Sequence, residues 1–249
     1  MSDELAALAA READFLRAQA YELTNRATEM DAIASPDEQP LEASLPGAPA
    51  TSDGGQMQTD EAPHKLALIV GHQANMPGAY AVAPINCHEY EWGGVLARTI
   101  AATVHDQGVA VRIFTRDVGG IRGAYARVRD WGASAAIELH FNSFSRRATG
   151  TETLTLVDVP GEMAFAKAVQ TAMLTTLNLP DRGIKAPHPK RGAVALNQLT
   201  VPHILIEPFF GSNPDDAARA HERQDKMAVA IGFAASEFVK GQAAWASKT

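Results

Sequence analysis

From residue 64 onward, short oily runs alternate with longer stretches whose apolar side chains recur every three or four positions. Leu66-Ala-Leu-Ile-Val70 is a continuous apolar run of strand length closed by Gly71. The spacing predicts a helix over 90–107 that ends at Gly108, because glycine accepts the left-handed backbone beyond a last helical turn. The β-branched stretch 109–115 reads as a strand, 121–131 as a helix and 135–141 as the next strand. Over 151–157 Thr alternates with Leu, which predicts a strand with one face wetter than the other. A helix over 162–177 is stopped by Pro180, and 203–208 reads as another strand. Asn213-Pro-Asp-Asp216 has the chemistry of a helix start, with an Asn cap, Pro in first position and acids in the first turn. A final helix is expected over 222–239. Such alternation predicts an α/β fold, a single open and mostly parallel sheet flanked by helices.

The N-terminal quarter follows other rules. Residues 1–34 are rich in Ala, Leu, Glu and Arg, and Leu5, Leu8, Phe15 and Leu23 give a loose helical face. Residues 35–63 carry Pro36, Pro40, Pro46, Pro49 and Pro63 with Gly47, Gly54 and Gly55, a composition that cannot bury a core and reads as a flexible linker. The expected organisation is an acidic helix over 1–34, a linker over 35–63 and one catalytic domain over 64–242. The net charge of −7 divides along the same boundary. Residues 1–62 carry 3 basic against 13 acidic side chains, a balance of −10, while 63–249 carry 19 against 16, a balance of +3.

Charge and hydropathy exclude several function classes. No dense Lys/Arg stripe is present to neutralise phosphates, so nucleic acid is not an expected partner. No apolar run approaches the ~20 residues that span a bilayer, so stable membrane insertion is not expected. The acidic start Met-Ser-Asp-Glu-Leu lacks a basic, apolar leader, and the single Cys87 cannot form an intrachain disulfide. Both point to synthesis in a reducing cytoplasm without a signal peptide. Nothing in the pattern speaks to oligomeric state.

Chemistry-bearing side chains cluster at the ends of three strands, where ligands of open α/β sheets gather. His72 follows Ile69-Val-Gly, His140 stands in Ile137-Glu-Leu-His-Phe-Asn142, and Glu207 ends the oily Ile204-Leu-Ile206. A fourth group, His88-Glu-Tyr-Glu91, opens the first long helix. Two imidazoles and a carboxylate suit Zn²⁺ at a catalytic site, since three protein ligands leave a position open. Zinc lowers the pKa of a water to roughly 7. A second carboxylate, off the metal, is then needed to move the proton, and Glu207 suits that role. Each side chain has a plainer reading: a hydrogen-bonded histidine at a strand end, or a carboxylate paired with a buried Arg such as Arg112, Arg116, Arg122 or Arg127.

From Leu66 to Val239 the ordered blocks resemble the catalytic domain of bacterial and phage zinc-dependent N-acetylmuramoyl-L-alanine amidases. They are Val70-Gly-His72 with Pro77-Gly-Ala79, Glu89-Tyr-Glu-Trp92, Phe114-Thr-Arg116 and Ile137 to Asn142. Gly150-Thr-Glu-Thr153, Arg182-Gly-Ile-Lys185 and Pro202 to Asn213 complete the series. The resemblance implies zinc held by His72, Glu89 and His140, with Glu207 as catalytic carboxylate; Glu91 and His88 are the neighbouring alternatives to Glu89. It implies the peptidoglycan amide between N-acetylmuramic acid and L-alanine as substrate, in a phage or prophage endolysin or a host amidase acting on the cell wall. Asn142 and Arg182 are expected to shape the substrate groove. The family's Ser-Ile-His is replaced here by Glu138-Leu139-His140. Residues two apart on a strand share a face, so Glu138 is expected either to orient His140 from behind or to form an ion pair with an Arg. Competing expectations are a zinc peptidase or deacylase acting on another amide, and an inactive peptidoglycan-binding protein.

Overall fold

The computed structural model describes residues 64–188 and 192–246, so the expected helix over 1–34 and linker over 35–63 lie outside the described residues. In chain order the elements are β1 (Lys65–Val70), α1 (Glu89–Asp106), β2 (Ala110–Phe114), α2 (Gly120–Trp131), β3 (Ala135–Leu139) and β4 (Thr151–Leu154). They continue with α3 (Pro160–Leu177), β5 (Asp181–Lys185), α4 (Ala193–Leu196), β6 (His203–Glu207) and α5 (Pro214–Ala246). The six strands form one sheet in the order β2-β1-β3-β6-β4-β5. All neighbouring pairs are parallel except β4 with β6, which is antiparallel.

The central strands β3 and β6 are buried at every position, as parallel strands covered on both faces must be. On one face Leu68, Val70, Ile137, Leu139, Ile204 and Ile206 pack against α1, α3 and α5. On the other, the small side chains of Ala67 and Ala136 let α2 approach with Tyr125 and Val128. Helix α1 forms because Trp92, Leu96, Ile100 and Val104 recur every four residues, and all four are buried. Burying each contributes about 1.5–3 kcal/mol, and cutting Leu96 back to Ala would cost about 2–5 kcal/mol.

Three expectations change. The helices expected from 213 and over 222–239 are one continuous helix, α5. Neither Gly nor Pro interrupts residues 215–231, and Gly232 is a crossing point instead: a Cβ there would collide with Thr103 of α1. Strand β4 has no wet face, since all four residues are buried. Its hydroxyls are satisfied inside, Thr151 Oγ1 on the Pro208 carbonyl at 2.6 Å and Thr153 Oγ1 on Gln170 at 2.7 Å. Strand β5 and the short α4 do not stand out in the sequence, β5 because it is a polar edge strand, Asp-Arg-Gly-Ile-Lys, with a half-exposed burial pattern.

Candidate metal centre and active site

The ends of β1 and β3 and the start of α1 meet at one point. Strand pairing sets Val70 against Leu139, and the Gly71 amide extends the ladder by donating to the Leu139 carbonyl at 3.0 Å. That register brings the next residues of each chain, His72 and His140, side by side, with ring centroids 4.9 Å apart. His72 adopts φ 64°, a left-handed backbone that L side chains rarely take and that persists where the surroundings over-determine it. The loop beyond it is held by Asp117, which accepts from the Ala74 amide at 2.9 Å and from the Tyr90 hydroxyl at 2.7 Å.

Glu89 reaches the pair from the first residue of α1. Its Oε1 accepts the Ala79 amide at 2.9 Å, and its Oε2 lies 2.9 Å from His140 Nδ1 and 3.2 Å from His72 Nε2. The Phe141 amide adds a longer bond to Oε2 at 3.3 Å. Glu91 turns back to cap the helix, accepting the His88 amide at 2.9 Å, and His88 Nδ1 lies 3.0 Å from the Gly78 carbonyl. Both neighbours are therefore occupied elsewhere. Burial alone would raise the Glu89 carboxyl, but hydrogen bonds and electrostatic interaction with His140 and His72 outweigh it and hold the group down at about 2.

One donor atom from each of His72, Glu89 and His140 lies within 4.8 Å of the others, and among the described residues this is the group that could hold a metal ion. Two tetrahedral ligands at ~2.1 Å from zinc stand about 3.4 Å apart, close to the 2.9 and 3.2 Å between the carboxylate and the two imidazoles. Two glycines keep the space: a Cβ on Gly71 would collide with the edge of the His140 ring and with the Leu139 carbonyl, and one on Gly78 would reach the His72 ring at 2.6 Å. The donor set and its cradle fit zinc.

Glu207 stands at the carboxyl end of β6, 6 % exposed and outside the ligand group. Leu139 aligns with Ile206, and the His140 amide donates to the Ile206 carbonyl at 3.1 Å, so one step further along the ladder sets Glu207 beside His140. On its other side Glu207 is the register partner of Glu152 on β4.

Glu138 touches both His140 and an arginine. Its Oε1 lies 3.0 Å from His140 Nε2 and is also paired with Arg116, while its Oε2 accepts the Tyr125 hydroxyl at 2.5 Å. Tyr125 is in turn 3.0 Å from His203 Nε2. Tyr125 gives its single proton to Glu138, which leaves its oxygen to accept from His203 when that ring carries its proton on Nε2. Burial and the Arg116 charge push the His203 pKa down to about 3, so the ring is neutral; burial likewise raises the Tyr125 hydroxyl above its ordinary value. With Nε2–H of His140 committed to Glu138, its Nδ1 lone pair faces Glu89 and His72.

Asn142 and Arg182 come together through a residue that sequence reading did not single out. Glu152 is fully buried and accepts Asn142 Nδ2 at 2.7 Å, Arg182 Nε at 2.8 Å and Lys185 Nζ at 2.7 Å. A carboxylate flanked by threonines, upstream of an Arg and a Lys three residues apart, was the available signal. It points to pairing only once β5 is known to lie beside β4.

The chain matches the model of the N-acetylmuramoyl-L-alanine amidase family over residues 66–236, which is 171 of its 249 residues. No curated protein matches its sequence. Among solved structures, it is similar to Cwp6 from Clostridium difficile, at TM-score 0.65 and 18 % identity over 71 % of this chain and 29 % of that one. It is also similar to the catalytic domain of CwlV, an N-acetylmuramoyl-L-alanine amidase from Bacillus (Paenibacillus) polymyxa var. colistinus, at TM-score 0.63 and 20 % identity. That match covers 71 % of this chain and 98 % of the other. The catalytic domain of the CD27L endolysin targeting Clostridia difficile matches at TM-score 0.59 and 23 % identity, over 72 % and 97 % of the two chains. The chain thus spans about three tenths of the length of Cwp6 and nearly all of the two isolated catalytic domains.

Proposed function

The chain belongs to the N-acetylmuramoyl-L-alanine amidase family, and from that premise we propose that it hydrolyses the amide joining N-acetylmuramic acid to L-alanine in peptidoglycan, with zinc held by His72, Glu89 and His140. The observation that carries the reading is the convergence of those three donors from the ends of β1 and β3 and the start of α1. When bound, zinc supplies Lewis acidity toward the scissile carbonyl and acidifies a water beside it.

The protein's own groups do the rest. Glu207, at the adjacent strand end and not among the ligands, accepts a proton from the attacking water as its oxygen bonds to the carbonyl carbon. The same proton passes to the L-alanine nitrogen as the C–N bond breaks, leaving a lactyl carboxylate and a free amino terminus. Glu138 fixes the orientation of His140, and Arg116 with Tyr125 keeps the Glu138 carboxylate in place. Asn142 and Arg182 border the groove that takes the stem peptide. An endolysin role, with release of the enzyme to the wall by a phage or prophage, is the setting this proposal carries. Among the described residues no helix is long and apolar enough to cross a membrane.

The test is purified protein on isolated peptidoglycan, with and without a chelator, followed by mass analysis of fragments. The proposal expects new L-alanine amino termini, no new reducing sugar ends, and loss of both fragmentation and turbidity decrease in chelator. Cleavage between amino acids of the stem, or binding without cleavage, would replace it with a peptidase or a wall-binding protein.

A further inference from the structure

From Asn142, two residues beyond His140, opens a cleft of about 590 Å³ whose charged lining residues, Arg147 and Arg182, are both cations. No acidic side chain is among those lining it. Arg182 enters from β5 with its guanidinium over the Phe210 ring, 4.8 Å from the centroid. Its Nε is committed to Glu152 at 2.8 Å, and Nη1 leans on the Thr149 carbonyl at 3.4 Å. The guanidinium is held at Nε and Nη1 and backed by an aromatic face, and Arg182 lines the cleft. Glu152 beneath it is fully buried and also holds Lys185 Nζ at 2.7 Å, so one carboxylate answers two cations. The same carboxylate takes the Asn142 amide nitrogen at 2.7 Å, which turns Asn142 Oδ1, an acceptor, away from it.

We infer that this cleft is a carboxylate-recognition subsite for the stem peptide, in which Arg182, assisted by Arg147, binds a free carboxylate while Asn142 Oδ1 accepts a peptide N–H. The inference rests on the amidase reading. Asn142 is two residues beyond His140, a span of at most ~7 Å, so the cleft begins within one or two peptide units of the reacting bond. The second stem residue is a glutamate joined through its side-chain carboxyl, so its α-carboxyl is either free or amidated, and the third residue can carry a carboxylate or a carboxamide as well. The chemistry sought is the same in both. An arginine held at Nε can still offer two parallel N–H bonds from its terminal nitrogens to a carboxylate, and none of comparable strength to a carboxamide. Cleavage of stems with free carboxylates should therefore be favoured by roughly 10- to 100-fold over amidated ones.

Two matched substrate pairs test this with the full chain loaded with zinc: muramoyl dipeptides ending in D-glutamate or D-isoglutamine, both blocked as the γ-methylamide, and muramoyl tripeptides with the third residue's carboxyl free or amidated. The expected result is a kcat/KM preference for the free carboxylate carried mainly by KM. Preference within the dipeptide pair assigns the second residue as the source, and preference only within the tripeptide pair assigns the third. Arg182→Gln is expected to bring the ratio to within about 2-fold of unity, and Arg147→Gln, at an exposed position, to reduce it by less. Binding of the free product peptides, with carboxylate or carboxamide, is measured in parallel by NMR titration and needs no turnover. A protein that cleaves none of the muramoyl substrates contradicts the amidase reading, while selective peptide binding lost in Arg182→Gln would still uphold the subsite. Equal handling of carboxylate and carboxamide by the wild type, or a preference untouched by both variants, overturns the inference.

Discussion

Replacing Glu138 separates what holds the fold from what prepares the metal site. The side chain is fully buried and receives Arg116, Tyr125 and His140. Glu138→Ala leaves the Arg116 guanidinium, itself 8 % exposed, without its carboxylate in the interior. Breaking a buried pair from one side costs about 3–5 kcal/mol. With a urea slope of ~2 kcal/mol/M, the unfolding midpoint should fall by roughly 1.5–2.5 M. The same change frees His140 Nε2–H and with it the ring's orientation and tautomer, a loss that typically weakens a metal site by about 10–100-fold. Removing both charges, as in Glu138→Leu with Arg116→Met, should recover most of the stability, because an apolar pair replaces an ionic one at little net cost. It should not recover zinc affinity. Urea unfolding in chelator reads the first quantity, and competition against a chromophoric chelator reads the second. A double variant that regains zinc affinity along with stability, or a Glu138→Ala protein that binds zinc like the wild type, would refute the idea that Glu138 acts on His140.

Three further outcomes follow from particular side chains. Glu207→Gln should lower turnover by about 10²–10⁴-fold while retaining zinc, measured as kcat against metal content in the same preparation; full activity would remove Glu207 from the proton path. Gly71→Ala should weaken zinc binding and lower the melting temperature together, since the new methyl collides with the His140 ring and the Leu139 carbonyl and cannot be accommodated without moving them. Stability should decline on acidification. His203 is held at about 3 in the fold, well below the ordinary histidine value, so its contribution is fully present above pH ~6.5 and is lost as pH falls toward 3. Urea midpoints between pH 7 and 4 should show that decline, flattened in His203→Gln; a pH-independent wild type would contradict it.

Much of the fold is written in local pattern. The apolar runs behind His72, His140 and Glu207 have strand length and lie close to chain punctuation such as Gly71 and Pro208, so the strand ends that carry them stand out. The site's distant members were harder to join. Glu89 sits at a helix start with Glu91 and His88 beside it, and only the reciprocal Ala79–Glu89 bonds and the Glu91 cap distinguish the three. Glu138 could be placed behind His140 by strand periodicity. Its other partners, Arg116 and Tyr125, lie 22 and 13 residues before it, and His203, which stands behind Tyr125, lies 65 after it; no local signal couples them. Glu152 was hidden for the same reason, since its partners on β5 belong to a polar edge strand without apolar alternation. The merger of two expected helices into α5 shows the converse, a glycine that serves packing where it could have marked an end.

The claim on which everything else depends is that three side chains far apart in sequence close around one zinc ion. Zinc stoichiometry combined with X-ray absorption of the loaded protein tests it most directly. The expected result is one zinc per chain with two imidazole nitrogens and carboxylate oxygen in its shell, and loss of that ion in His72→Ala and in His140→Ala. A zinc shell containing sulfur, or full zinc retention in either histidine variant, would contradict it.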